Sequence, residues 1–207
     1  MPQIIAVCGP DGSGKTTLVS ELARRFGGEA MLESLPPHFH AYCRELAAGT
    51  GKLLLQYQLW FLNRQVADYW RARHLGMPLV FMDRLPWEHR EVLAPHVFGE
   101  GRASEEDQRT YEHVADELLY ELLPPDLVVL LRPSPEAAAE SVWQRGREGE
   151  LLRPPGYAER QVQRCAAWPE PGRWPVLEVP GAVAEVGLEA IIGMVGDALA
   201  VPRKAAG

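Results

Sequence analysis

The residues best equipped for chemistry stand together near the N-terminus: Gly9-Pro10-Asp11-Gly12-Ser13-Gly14-Lys15-Thr16, followed by Thr17. The run meets G-x-x-x-x-G-K-[ST] at every fixed position, a pattern that cradles phosphates when it joins a strand to a helix. Glycine lets backbone N–H groups turn inward and approach phosphate oxygens, and a helix N-terminus adds partial positive charge. In that frame Lys15 neutralises the β- and γ-phosphates of a nucleoside triphosphate, and the Thr16 hydroxyl ligates Mg2+. Of 21 basic residues only Lys15, Lys52 and Lys204 are lysine, and one of these three fills the loop position that arginine could not.

Other candidates follow from position. Glu33, in Met31-Leu32-Glu33-Ser34, stands where a carboxylate could take a proton from an attacking hydroxyl, or could be a solvated acid at a strand end. No Lys or Arg occurs from Gly27 to Cys43, which favours a neutral hydroxyl acceptor over one already phosphorylated. Asp83 closes an apolar run and is the candidate second contact to the Mg2+ shell; the alternative is a cap for the turn at Leu85-Pro86. Arg84 could contact acceptor or phosphate, or form a salt bridge with Glu33 or Glu88. Gln58 offers an amide donor and acceptor side by side, suited to the edge of a base or to a satisfied core contact. Arg64 reads equally as an ordinary solvated arginine. Arg145-Gly146-Arg147, with Gly149 and Glu150 beyond, has the composition of a mobile lid over a triphosphate, and also that of a charged surface turn.

The elements that must position these residues alternate. Strand candidates are Gln3–Cys8, Ala30–Glu33, Leu79–Asp83, Leu127–Leu131 and Val176–Val179, separated by helical stretches. The fold class expected is α/β: a three-layer P-loop NTPase fold with a five-stranded parallel sheet flanked by helices. Ligands in such sheets lie beyond the carboxyl ends of the strands. The Thr17–Phe26 stretch forms the first helix, and a long one runs from Leu53 to Arg73 with Leu54, Phe61, Leu62, Val66 and Tyr69 on its apolar face. Gly99–Leu123 reads as a loop and helix. Ser134-Pro135-Glu136 caps a helix reaching Trp143. Arg153–Gly172 and Glu185–Ala200 are read as the last helices, with 201–207 a frayed tail.

Composition narrows the class further. The 207 residues are sized for one domain, and a net charge of −7 argues against an extended nucleic-acid footprint. Cys8, Cys43 and Cys165 are few, odd in number and far apart, with no metal-ligand spacing, as expected of buried or incidental thiols in a reducing compartment. With no signal-like N-terminus and no apolar run of about 18 residues, the expectation is a soluble cytoplasmic protein without membrane contact.

Order and spacing together resemble the deoxynucleoside kinases, particularly the bacterial deoxyadenosine/deoxyguanosine kinases. The similarity includes the phosphate loop, Glu33, Gln58-Leu59-Trp60-Phe61-Leu62, Asp83-Arg84, Glu88 to Val92, Pro125 to Val129, and Arg145-Gly146-Arg147 followed by Glu150 and Tyr157. It implies one domain over 1–207 with a lid at about 145–156, ATP as donor with Mg2+, a deoxynucleoside acceptor, and a homodimer. It further implies Glu33 as general base for the 5′-hydroxyl, Arg84 positioning the reacting end, and Gln58 reading the base. Asp83 then lies near Mg2+, Arg145 and Arg147 sit on the phosphates, and Glu150 contacts the 3′-hydroxyl, with Tyr157 beside the substrate. Four departures stand out. Leu85 replaces a usual serine, His89 replaces an aspartate that helps read the base, Ser141 stands near a frequent arginine, and Arg64 lies one residue early. Thymidylate kinase, whose phosphate loop tends to read Asp-Gly-Ser-Gly-Lys-Thr-Thr, is the nearest rival, but it calls for an arginine-bearing segment after the second strand. A nucleotide-dependent switch without an acceptor is the rival from another class.

Overall fold

The computed structural model describes residues 1–49, 53–101 and 103–200. Five parallel strands form one sheet in the order β2-β3-β1-β4-β5: β1 Gln3–Cys8, β2 Glu29–Met31, β3 Leu79–Asp83, β4 Leu127–Leu131 and β5 Val176–Val179. Gln3 pairs with Leu79 and Ile5 with Leu127, so β1 lies at the centre. Its apolar run is continuous because both faces are covered. Ile4, Ala6 and Cys8 face one core, shared with Val80, Met82, Val128 and Leu130. Ile5 and Val7 face the other, shared with Phe81, Val129 and Leu131.

On the second face pack α1 (Lys15–Phe26) and α11 (Leu188–Ala200), through Leu18, Leu22, Ile191 and Val195. On the first lie α2 (Phe39–Ala48), α3 (Leu54–His74) and α6 (Glu105–Leu119). Between β3 and α6 the chain is helical from Pro86 to Gly101: α4 (Pro86–Glu88), a π-helical turn (His89–Leu93) and α5 (Ala94–Gly101). The sequence singles out Glu88 to Val92, with His89 among them, but no helix is expected there. Beyond β4 come α7 (Pro135–Arg145), α8 (Glu148–Leu151) and α9 (Tyr157–Ala166); α10 (Val183–Val186) follows β5. Ser134 caps α7 by accepting a hydrogen bond from the Ala137 N–H.

The five expected strands and the α/β architecture are observed, with shifted boundaries. β2 ends at Met31, its last partner being Met82, so Glu33 lies beyond the strand; Leu32 is already exposed and Pro36-Pro37 carries no N–H to extend a ladder. α3 starts one residue later than expected, after Leu53 at φ 61°. α7 continues past Trp143 until Gly146, at φ 64°, closes it. The Arg153–Gly172 expectation shrinks to Tyr157–Ala166, between Gly156 and the prolines beyond. The closing helix is split at Gly187 into α10 and α11. The tail at 201–207 lies outside the described residues. All three cysteines are buried free thiols. Among the described residues no helix is long and apolar enough to cross a membrane.

Candidate active site

The phosphate loop connects the end of β1 to α1. Gly12 and Gly14 sit at φ 82° and 90°, where side-chain-bearing residues are strained. A Cβ on Gly12 would run into the carbonyl oxygen of Ala138 on α7, and one on Gly14 would lie 2.8 Å from Val183 Cβ. Only glycine lets α7 and α10 close over the loop. Ser13 Oγ donates to the Pro10 carbonyl (2.8 Å), as does Lys15 Nζ (2.6 Å). Gly9 lies where its Cβ would meet Leu131, so the loop also packs against β4. Burial lowers the Lys15 pKa, and the nearby Arg84 adds to the effect.

Thr16 Oγ1 donates to Asp83 Oδ2 at 2.5 Å, which joins the N-terminus of α1 to the tip of β3. Asp83 Oδ1 is buried with no partner. Among the described residues no group of three or more His, Cys, Asp or Glu is arranged to hold a metal ion. A hydroxyl beside an unsatisfied carboxylate oxygen nevertheless fits a hard cation that takes its remaining ligands from phosphate and water.

Arg84 is the hub. It stands just past β3 at φ 81°, rare for a residue with a side chain, and its backbone N–H donates to Val7 O at 3.0 Å. The guanidinium is divided among three carboxylates: Nε lies 3.2 Å from Glu33, Nη1 3.3 Å from Glu88, and Nη2 2.5 Å from Asp11. Both salt bridges anticipated for Arg84 therefore exist. A third, to Asp11, was not anticipated. Asp11 also pairs with Arg153 at 2.8 Å and exchanges hydrogen bonds with Gln161 through its N–H and its carboxylate. Burial pushes the Asp11 carboxyl up, but Arg153, Arg84 and Lys15 outweigh it and hold the pKa well below the usual range. For Glu33 burial prevails: it lifts the carboxyl to about 7 against the pull of Arg84, with Asp83 and Asp11 adding repulsion.

A cavity of about 450 Å3 runs from this cluster towards α3. At its far end Gln58 is buried on α3, with Nε2 donating to the Tyr42 hydroxyl (3.3 Å) and Oε1 unpartnered. His89 lies beside it on the π-helical turn, packed on Phe61, with neither ring nitrogen within hydrogen-bond geometry of a partner. Burial and the nearby Arg84 drive its pKa down to about 3, so the ring is neutral. Such π-helical turns often mark functional sites.

Over the opening, Arg145 and Arg147 both reach Glu150, at 2.5 and 3.5 Å. Arg153 stacks on the Tyr157 ring 4.7 Å from its centroid. Every substrate-contact candidate lines this one cavity: Glu33, Gln58, Arg84, His89, Glu150 and Tyr157, alongside Lys15, Thr16 and Asp83. Ser141 lines it too, whereas Arg64 is exposed and paired with Asp68. Sequence reading missed Tyr42, Arg153 and Gln161. The last could have been found, since Tyr157, Gln161 and Cys165 recur every four residues and form the buried stripe of α9. Arg153, inside Leu152-Arg153-Pro154, carries no such signal.

A phosphate loop at the end of the central strand, a hydroxyl–carboxylate pair beside it and arginines over an enclosed cavity define a P-loop phosphotransferase. The deoxynucleoside kinase family model matches residues 5–179, and the chain belongs to that family. It is thus a nucleotide-binding kinase, as the sequence led one to expect. The deoxyadenosine/deoxycytidine kinase of Bacillus subtilis (strain 168) is 28% identical over 171 residues, 80% of this chain and 76% of that one. The deoxyadenosine kinase of Dictyostelium discoideum is 29% identical over 155 residues, 70% of this chain and 58% of that protein. In fold the chain resembles the deoxyadenosine kinase of M. mycoides solved with bound dATP, at a TM-score of 0.81 and 24% identity over 96% of this chain and all of the other. The same enzyme with bound dCTP gives 0.79 at 22% identity, over 95% and 98%.

Proposed function

We propose that the chain transfers the γ-phosphate of ATP to the 5′-hydroxyl of a deoxynucleoside, with purine deoxynucleosides favoured, giving the 5′-monophosphate and ADP for nucleotide salvage. The observation that carries this reading is Glu33: a carboxylate beside the phosphate loop, held by Arg84 and titrating near neutrality at about 7. A base poised there takes the hydroxyl proton without being permanently protonated. Arg84 orients the reacting end. Lys15, Arg145 and Arg147 neutralise charge on the transferring oxygens, and the backbone of Gly9 to Gly14 cradles the phosphates. Thr16 and Asp83 would hold Mg2+, which supplies charge neutralisation at the donor phosphates when bound. Glu150 and Tyr157 take the sugar.

Gln58 reads the base. Its free oxygen and its amide nitrogen match the amino group and adjacent ring acceptor that adenine presents. The names of the curated relatives, deoxyadenosine kinase among them, support that choice. One domain with a lid at about 145–156, a homodimer and a cytoplasmic location complete the reading.

Labelled ATP offered with each of the four deoxynucleosides and each monophosphate tests it. Labelled monophosphate from a deoxynucleoside is expected, and label entering only nucleotides overturns it. Glu33→Gln is expected to keep ATP binding and to lower turnover by about 10^2 to 10^4; normal turnover removes Glu33 from the mechanism.

A further inference from the structure

Glu88 is fully buried and lies outside the wall of the cavity, yet it holds two groups that belong to the reaction's geometry. Its Oε1 accepts from the Gly9 N–H at 2.8 Å and from Arg84 Nη1 at 3.3 Å, while Arg84 Nη1 donates to the Gly9 carbonyl at 3.1 Å. The three residues close a ring between the first glycine of the phosphate loop and the arginine at the acceptor end. The other oxygen, Oε2, is buried with no partner in hydrogen-bond geometry among the described residues, the weakly donating Cys8 thiol lying beside the carboxylate. A buried carboxylate with one oxygen unsatisfied is costly. A glutamine of the same shape would accept the Gly9 N–H without burying a charge. What the charge adds is a hold on Arg84, which Glu33 and Asp11 pull in other directions.

We propose that Glu88 is a positioning residue. It locks Arg84 to the phosphate loop and keeps part of the guanidinium from collapsing onto Glu33, so that the carboxylate stays available to the acceptor hydroxyl. The inference rests on Glu33 being the proton acceptor. The Arg84 backbone is held at φ 81° by its N–H bond to Val7 O, so its side-chain partners decide where the charge sits. Around Glu33 the other charged groups are Asp83, Asp11 and Lys15, with Arg64 and Asp68 paired to each other on α3 and Gln65 Nε2 at 3.4 Å. None of these ties Glu33 to Gly9. Arg84 does so through the Gly9 carbonyl, and Glu88 adds a second link by taking both Arg84 Nη1 and the Gly9 N–H.

The test is a kinetic double-mutant cycle in the full-length chain with ATP, Mg2+ and deoxyadenosine. Glu88→Gln is expected to lower kcat about tenfold or more while both KM values stay within about twofold. In the Glu33→Gln background the same change is expected to alter kcat by less than about twofold, because its effect passes through Glu33. A merely structural role would lower the melting temperature and leave kcat per active site unchanged, and that result overturns the proposal. So does a full, additive loss in the Glu33→Gln background. If Glu33→Gln itself keeps full turnover, the reading of Glu33 fails instead, and the two failures are told apart. Should Glu88→Gln not fold, Glu88→Asp carries the same cycle. It keeps the charge but is one methylene too short to hold both partners, and an intermediate, non-additive loss is expected; wild-type kcat in that variant likewise overturns the proposal.

Discussion

The phosphate-loop end of the cavity and its α3 end, the proposed base site, are built in opposite ways. At the phosphate-loop end one unbroken stretch, Gly9 to Thr17, supplies the loop; Ser13 and Lys15 donate locally to Pro10, while Gly9, Asp11 and Thr16 are held from Glu88, Gln161 and Asp83. At the proposed base end Gln58 comes from α3, His89 from the π-helical turn and Tyr42 from α2. There Gln58 Oε1 and both His89 ring nitrogens are buried without partners. Buried polar atoms without partners are costly unless something else satisfies them. The difference separates the two proposed tasks: a contiguous loop, braced by Glu88 and Gln161, frames the phosphate site, and a wall assembled from three elements leaves polar atoms for a substrate to satisfy.

The comparison breaks if a change at one end disturbs the other. The largest separation is expected for Gly12→Ala. The left-handed backbone alone costs roughly 1–2 kcal/mol with a Cβ present, and that Cβ meets the Ala138 carbonyl. Affinity for a non-hydrolysable ATP analogue should fall more than about tenfold, with deoxynucleoside affinity unchanged; calorimetric titration of each ligand separately checks it. A smaller effect in the opposite direction is expected for Gln58→Leu, which removes the amide and strands the Tyr42 hydroxyl. Here kcat/KM for deoxyadenosine should drop about tenfold, in line with the roughly 1–3 kcal/mol lost when a buried polar group goes unpaired, while the KM for ATP holds. An equal loss of ATP affinity would mean the two ends are not separable.

The same contrast explains what the sequence disclosed. The loop, Thr16 and Asp83 were legible because strand, turn and helix are local events and the acid stands at a strand tip. Glu33 and Arg84 were legible as candidates, and so was a bridge from Arg84 to Glu33 or Glu88, but its sharing between both and its third bridge, to Asp11, were not, because they depend on the register of β1 beside β3 and on a left-handed residue after the strand. The reach of Arg153 to Asp11 depends on how α9 docks against the phosphate loop, and nothing in a proline-flanked arginine encodes that. The π-helical turn that carries His89 was hidden for a related reason: about one residue more per turn leaves no separate mark on a stretch of only five residues. The error at β2 was a boundary error, caused by reading apolar Leu32 as paired when the ladder had already ended.

A final, smaller effect distinguishes the ends by sign. His89 is neutral in the fold, its pKa lowered from 6.5 to about 3. Between those values the unfolded chain binds a proton that the folded one refuses. Its contribution to stability is present above pH 6.5 and is lost as pH falls towards 3. Glu33 moves the other way, from 4.5 to about 7. Its contribution is present below pH 4.5 and is lost as pH rises through 7. Each can change stability by at most about 1.4 kcal/mol per pH unit for one proton. Urea unfolding of wild type, His89→Gln and Glu33→Gln between pH 5 and about 6.5 should therefore give difference curves of opposite slope. Wild type should gain on His89→Gln as pH rises and lose ground to Glu33→Gln over the same range. Two slopes of the same sign would mean that one of these residues does not hold the charge state assigned to it, and the curve with the unexpected sign identifies which.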